Sequence, residues 1–61
     1  MGSFTFEIES SDGEFSSSRK SYDNCTEAKH AALYCGYARY GDKLMCIYIL
    51  QDGVVIKKFT S

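Results

Sequence analysis

The sequence has no proline, a single histidine and no glycine-rich phosphate loop, and its longest apolar run, Leu44 to Leu50, is strand-sized. Each absence closes off a class of function. A membrane helix needs about 20 consecutive apolar residues, so no stretch qualifies. Gly36 and Gly41 stand apart and do not follow a strand, so nothing cradles a nucleotide phosphate. Without proline or low-complexity tracts, nothing in the chain reads as a disordered linker. The start of the chain lacks the charged and apolar regions of a signal peptide. Met1-Gly2 would suit myristoylation, but that pattern wants Ser or Thr at the sixth position and finds Phe6. The expectation is a cytoplasmic protein, with Met1 to Ser3 either a flexible start or a cloning remnant.

What is present fits one small domain spanning residues 1–61. A chain this short buries only about 60% of its unfolded surface, so its core must be compact. Four Phe and five Tyr supply the bulk for it. Cys25, Cys35 and Cys46 make an odd count without close spacing, which favours free thiols in a reducing compartment over a disulfide framework. Asn24-Cys25-Thr26 matches a glycosylation sequon, but a helix cap explains Asn24 better.

The net charge of −1 conceals an uneven distribution. Glu7, Glu9, Asp12 and Glu14 fall within residues 1–18, which hold no basic residue. The remainder carries all seven Lys and Arg against four acidic residues. The first part of the chain is therefore an acidic lobe and the rest is mildly basic.

Phe4 to Glu9 alternates apolar and polar residues, the period of a half-buried strand with Phe4, Phe6 and Ile8 inward. Asp12-Gly13 signals a two-residue hairpin turn, which sets Ser10 opposite Phe15, Ile8 opposite Ser17 and Phe6 opposite Arg19. The second strand, Glu14 to Tyr22, is polar and suits a sheet edge. Asn24 with Glu27 three residues on makes an N-cap, and Cys25 to Tyr40 reads as a helix ended by Gly41. Ala28, Ala31, Ala32, Cys35 and Ala38 form its small-residue stripe. Leu44 to Leu50 is apolar on both faces, as a central strand should be. Asp52-Gly53 then turns the chain into a last strand, Val54 to Thr60, with Ile49 opposite Ile56, Tyr48 opposite Lys57 and Cys46 opposite Phe59.

These elements predict an α+β fold, strand-strand-helix-strand-strand, with a four-stranded antiparallel sheet in the order 2-1-3-4 and the helix on one face. The helix should cover Phe4, Phe6, Ile8, Phe15, Ile47, Ile49 and Ile56. Leu44, Cys46, Tyr48, Leu50, Val55 and Phe59 should line the open face, beside Glu7, Glu9, Lys20 and Lys57.

Catalytic constellations are missing from this layout. His30 has no nucleophile and no orienting carboxylate at useful spacing beyond Glu27. Cys25, in the first turn of the helix, is the best nucleophile, but no second group accompanies it. Cys25 and Cys35 stand about 15 Å apart along a helix axis, too far to share a metal ion. Glu7 and Glu9 share a strand face but lie open to solvent without a cleft. No catalytic residue, cofactor or metal is expected, and an enzyme is the least favoured class. Arg19-Lys20 and Lys57-Lys58 would fall at opposite sheet edges, and a pI near 5.6 does not suit a nucleic-acid binder.

The stretch from Phe4 to Tyr40, with Glu9-Ser10-Ser11-Asp12 before the second strand and Thr26-Glu27-Ala28 opening the helix, resembles small phage proteins that disable host machinery. The phage inhibitor of bacterial RNA polymerase is nearest in layout, and small anti-CRISPR proteins are similar in size and style. The present chain adds a fourth strand, lacks tryptophan and has no arginine-rich third strand, so the target of that inhibitor does not carry over. The resemblance implies a compact protein that docks on a larger one, in the host cytoplasm, and blocks it.

The leading expectation is thus a protein-binding module. It would use either the acidic hairpin of Glu7, Glu9, Asp12 and Glu14, or the helix tyrosines Tyr34, Tyr37 and Tyr40. The alternative is a homodimer through the open sheet face at Tyr48, Val55 and Phe59. Nucleic-acid binding ranks third.

Overall fold

A computed structural model describes residues 3–60. The expectation for Met1 and Gly2 lies outside them. Ser3 is tied down: its hydroxyl donates to Asp52 Oδ1, and its carbonyl accepts from the Asp52 N–H. In chain order the elements are β1 (Phe4–Ser10), β2 (Phe15–Ser17), α1 (Cys25–Tyr40), a 3₁₀ turn (Gly41–Lys43), β3 (Leu44–Gln51) and β4 (Val54–Thr60). The strands form one antiparallel sheet in the order β2-β1-β3-β4, with α1 packed on β1 and β3. This is the α+β layout that the patterning predicts.

Local chemistry sets the ends of α1. The Asn24 side chain accepts from the Glu27 N–H at 2.8 Å and donates back to the Glu27 carboxylate at 2.9 Å, satisfying a helix-start donor. Gly41 closes the helix at a positive φ of 57°, its N–H bonded to the Tyr37 carbonyl. At the other hairpin, Asp52 and Gly53 both take positive φ, the geometry of a tight two-residue turn whose twist matches the strands.

The core contains Phe6 and Ile8 from β1, Leu44, Ile47 and Ile49 from β3, and Ala28 and Ala32 from α1. Each fully buried Ile or Phe contributes roughly 1.5–3 kcal/mol relative to exposure. The buried stripe of α1 is Ala28, Ala32 and Gly36, flanked by Cys25, Ala31, Leu33 and Tyr40. The expected stripe is therefore rotated at its C-terminal half, where Cys35 and Ala38 are exposed. Gly36 accounts for the rotation: a Cβ there would lie 2.8 Å from both methyls of Leu44, so glycine lets the helix lie close over that side chain.

Three features of the sheet differ from the expected pairing. The first hairpin closes on Ser10 and Glu14 with a three-residue loop, giving Glu7 opposite Ser17, Ile8 opposite Ser16 and Glu9 opposite Phe15. Ser10 is the cause. It is 1% exposed, and its hydroxyl accepts from the N–H groups of Asp12 (3.3 Å) and Glu14 (3.1 Å). Gly13 takes φ 88° at the loop end. A slip of one residue turns every side chain over, so Phe15 leaves the helix face for the open face.

Second, β2 stops at Ser17, well short of Tyr22. The Phe6 N–H is taken by the Ser18 hydroxyl at 3.2 Å in place of a backbone carbonyl, and the chain swings out before Tyr22 returns to bridge Phe4. Third, both contacts of β3 contain bulges. Met45 is the extra residue between the Glu9–Cys46 and Ser10–Leu44 pairs, which turns Leu44 into the core. Ile56 is the extra residue between the Leu50–Val55 and Ile49–Lys57 pairs. Phe59 consequently pairs with Ile47 on the helix side, where the Lys29 ammonium lies 4.3 Å from its ring centroid.

The Gly36–Leu44 contact gives a sign test. Gly36→Ala gains roughly 1 kcal/mol of helix propensity but overpacks Leu44, at about 1–3 kcal/mol. The expected outcome by urea denaturation is a net loss of stability. In a Leu44→Ala background, which removes the Cγ at 3.3 Å as well as both methyls, the same substitution should stabilise.

Candidate functional site

The expected contact residues fall on three separate surfaces. The acidic lobe is the first, and much of it is already engaged. Asp12, at the hairpin tip, pairs with Lys43 at 3.2 Å, and the neighbouring Ser11 N–H donates to the Lys43 carbonyl at 2.7 Å. The ion pair is exposed on both sides, so it contributes little; the backbone bond fixes the tip against the 3₁₀ turn that follows α1. Glu14 is exposed beside it, whereas Glu7 and Glu9 are half-buried on the open sheet face. The four carboxylates thus divide between a turn and a sheet face.

The open face is the second surface. Tyr48 sits at its centre and is held from several sides. Its hydroxyl donates to Glu9 Oε1 at 2.8 Å, the Phe15 ring stacks at 6.5 Å between centroids, and the Lys58 ammonium lies 5.8 Å from the Tyr48 ring centroid. Cys46 and Leu50 are buried on this face, flanked across the strands by Glu9 and Thr60, and by Thr5 and Val55. Phe15 and Val55 stay 58% and 51% exposed. Of the residues expected to drive self-association, Tyr48 and Val55 lie here, while Phe59 lies on the other side. Thr60 stands opposite Cys46 in its place, and Phe15, which the expected register placed under the helix, joins the open face from β2. The signal that could have located Phe15 is Ser10, whose capacity to cap its own turn sets the loop length.

The outer face of α1 is the third surface. Tyr34 is 79% and Tyr37 57% exposed, and neither side chain makes a hydrogen bond or ring contact among the described residues. Tyr40 differs: it packs against the core, and its hydroxyl shares a hydrogen bond with Ser16 at 3.0 Å. Tyr40 therefore joins the helix end to β2, and only Tyr34 and Tyr37 present free rings.

The chain matches no protein-family model, no curated protein and no solved structure. Its chemistry is thus read from its own side chains. Cys25 is half-buried against the core, Cys35 is exposed and Cys46 is buried, all as free thiols. His30 is exposed on α1. Among the described residues no three His, Cys, Asp or Glu side chains are placed to hold a metal ion, and no helix is long and apolar enough to cross a membrane.

Glu9 acts on the ionisation of Tyr48. The hydrogen bond to its carboxylate, reinforced by desolvation and by the negative charge itself, pushes the phenol from 10.0 up to about 12. A phenol whose folded pKa is raised stabilises the fold fully below its unfolded value, and that contribution fades as pH rises from 10.0 toward 12. Phenolate absorbance should show one of the five tyrosines titrating late. Glu9→Ala should bring that tyrosine back toward its ordinary value and flatten the loss of stability across the same alkaline window. A late tyrosine that persists in the variant contradicts the assignment.

Proposed function

We propose that the chain is a small, non-enzymatic protein-binding module that docks on a larger partner through the outer face of α1. The observation that carries this reading is the exposure of Tyr34 and Tyr37, two large amphipathic rings one helical turn apart with no partner among the described residues. Tyrosine is favoured at interface centres because it offers wide contact area and a polar tip at small entropic cost. The α1 backbone holds both rings on a rigid element, packed on β1 and β3 from behind.

The acidic lobe supports docking less well. Asp12 faces Lys43 and Glu9 is bonded to Tyr48, which leaves Glu7 and Glu14 as the carboxylates without a partner among the described residues. In keeping with the resemblance to small phage inhibitors, the consequence of docking would be blockade of a larger host protein.

Homodimerisation through the open face is a second reading, favoured by the exposure of Phe15 and Val55 on one side of the sheet. Affinity capture from bacterial lysate, with mass spectrometry and with sedimentation of the purified protein in parallel, separates the two. A complex retained by the native chain, retained by the Glu7/Glu9/Asp12/Glu14→Ala variant and lost with Tyr34→Ala/Tyr37→Ala is the expected result. Loss with the acidic variant alone would move the site to the hairpin. A dimeric mass abolished by Phe15→Ser, with nothing captured, would replace the docking reading with the homodimer.

A further inference from the structure

The early end of β2 has a consequence on the helix side of the sheet. Where the chain swings out between Ser18 and Tyr22, it leaves a cleft of about 280 Å³ between that loop and α1. Phe6 and Ile8 are at its floor, Arg19 and Lys20 on the loop wall, and Arg39 on the helix wall. We propose that this cleft binds a small phosphorylated ligand with an apolar body, such as an aryl phosphate.

Charge is the first reason. Arg19, Lys20 and Arg39 all line the cleft, and no carboxylate does. The ion pair found among the described residues is Lys43 with Asp12, so the three cations have no anionic partner there. Lys20 instead rests over the Tyr22 ring, 5.2 Å from its centroid. Like charges gathered over a low-dielectric floor raise the local potential for an anion. Two guanidinium groups offer forked donors that match phosphate oxygens.

Hydrogen-bonding capacity is the second. The Ser18 oxygen accepts from the Phe6 N–H at 3.2 Å, which leaves the hydroxyl proton to be donated into the cleft it lines. Size and polarity decide the rest. About 280 Å³ is at the small end of ligand sites, enough for roughly one ring and a phosphoryl group. The apolar floor suits the ring, and the cationic walls suit the phosphate. A nucleic-acid backbone would need a longer basic track, and the chain's pI near 5.6 offers none.

Phenyl phosphate is the probe, titrated by NMR into the full chain, with phenol and inorganic phosphate as controls. Saturable binding is expected, with shifts at Ser18, Arg19 and Arg39 and with both controls weaker. Arg19→Gln and Arg39→Gln should each weaken it by about tenfold, the effect of losing one charge-assisted contact, with unchanged thermal melting because both residues are exposed. Bound ligand should also shield Cys35, which lines the cleft, from alkylation while the rate at Cys25 stays the same. Binding no tighter than phenol, or equal in the native chain and both variants, overturns the proposal. If inorganic phosphate binds as tightly as phenyl phosphate, the apolar body is wrong. A phosphotyrosine peptide that binds more tightly than phenyl phosphate would identify the source as a modified protein side chain, and equal affinity a free metabolite.

Discussion

The close approach of α1 to the sheet through Ala28, Ala32 and Gly36 is the contact on which the rest of the molecule depends. A helix with large inward side chains would stand farther off and keep its tyrosines for the core. Here Leu44 reaches up from β3 into the space above Gly36, and Ile8 and Ile49 fill the layer beneath. The core is therefore made mostly by the sheet, and the helix contributes a smooth surface. This division releases Tyr34 and Tyr37 to the outside and turns Arg39 toward the edge of β1. For a chain this small, so economical a core is also a vulnerable one, because few large side chains are available to compensate for a lost contact.

The order of elements, the helix ends and the strand order 2-1-3-4 were legible because they rest on strong local signals: the alternation of Phe4, Phe6 and Ile8, the Asn24 cap, Gly41, and the Asp52-Gly53 turn. What was not legible is register. Asp12-Gly13 reads as a two-residue turn, whereas the chain closes on Ser10 and Glu14 around three residues, held by the bonds of the Ser10 side chain. Bulges at Met45 and Ile56 depend on how the strands coil across the whole sheet, which no local pattern records. These shifts moved Phe15, Leu44 and Phe59 to the faces opposite to those expected. The surface residues of the candidate sites fared unevenly for the same reason: Tyr34 and Tyr37 follow from helix phase, whereas Phe59 depended on a register that a bulge resets.

The surfaces are also unequal in what remains available to a partner. Carboxylates at Asp12 and Glu9, and the ring of Tyr48, are occupied by contacts within the chain, which stiffen the hairpin and the open face. Free groups gather around α1, with the tyrosines on its outer face and the unpaired cations beside the cleft at its flank. The open face also keeps Phe15 and Val55 exposed, so the free surface is shared between the helix and the sheet that supports it.

The rotational setting of α1 underlies all of this, and nuclear Overhauser contacts measure it directly. The expected result is strong contacts from the Gly36 α-protons to the Leu44 methyls, with none from the Tyr34 ring to Ile8 or Ile49. Contacts from Tyr34 to those core isoleucines, with Gly36 exposed to solvent, would mean that the helix buries another face, and would contradict both the docking surface and the cleft.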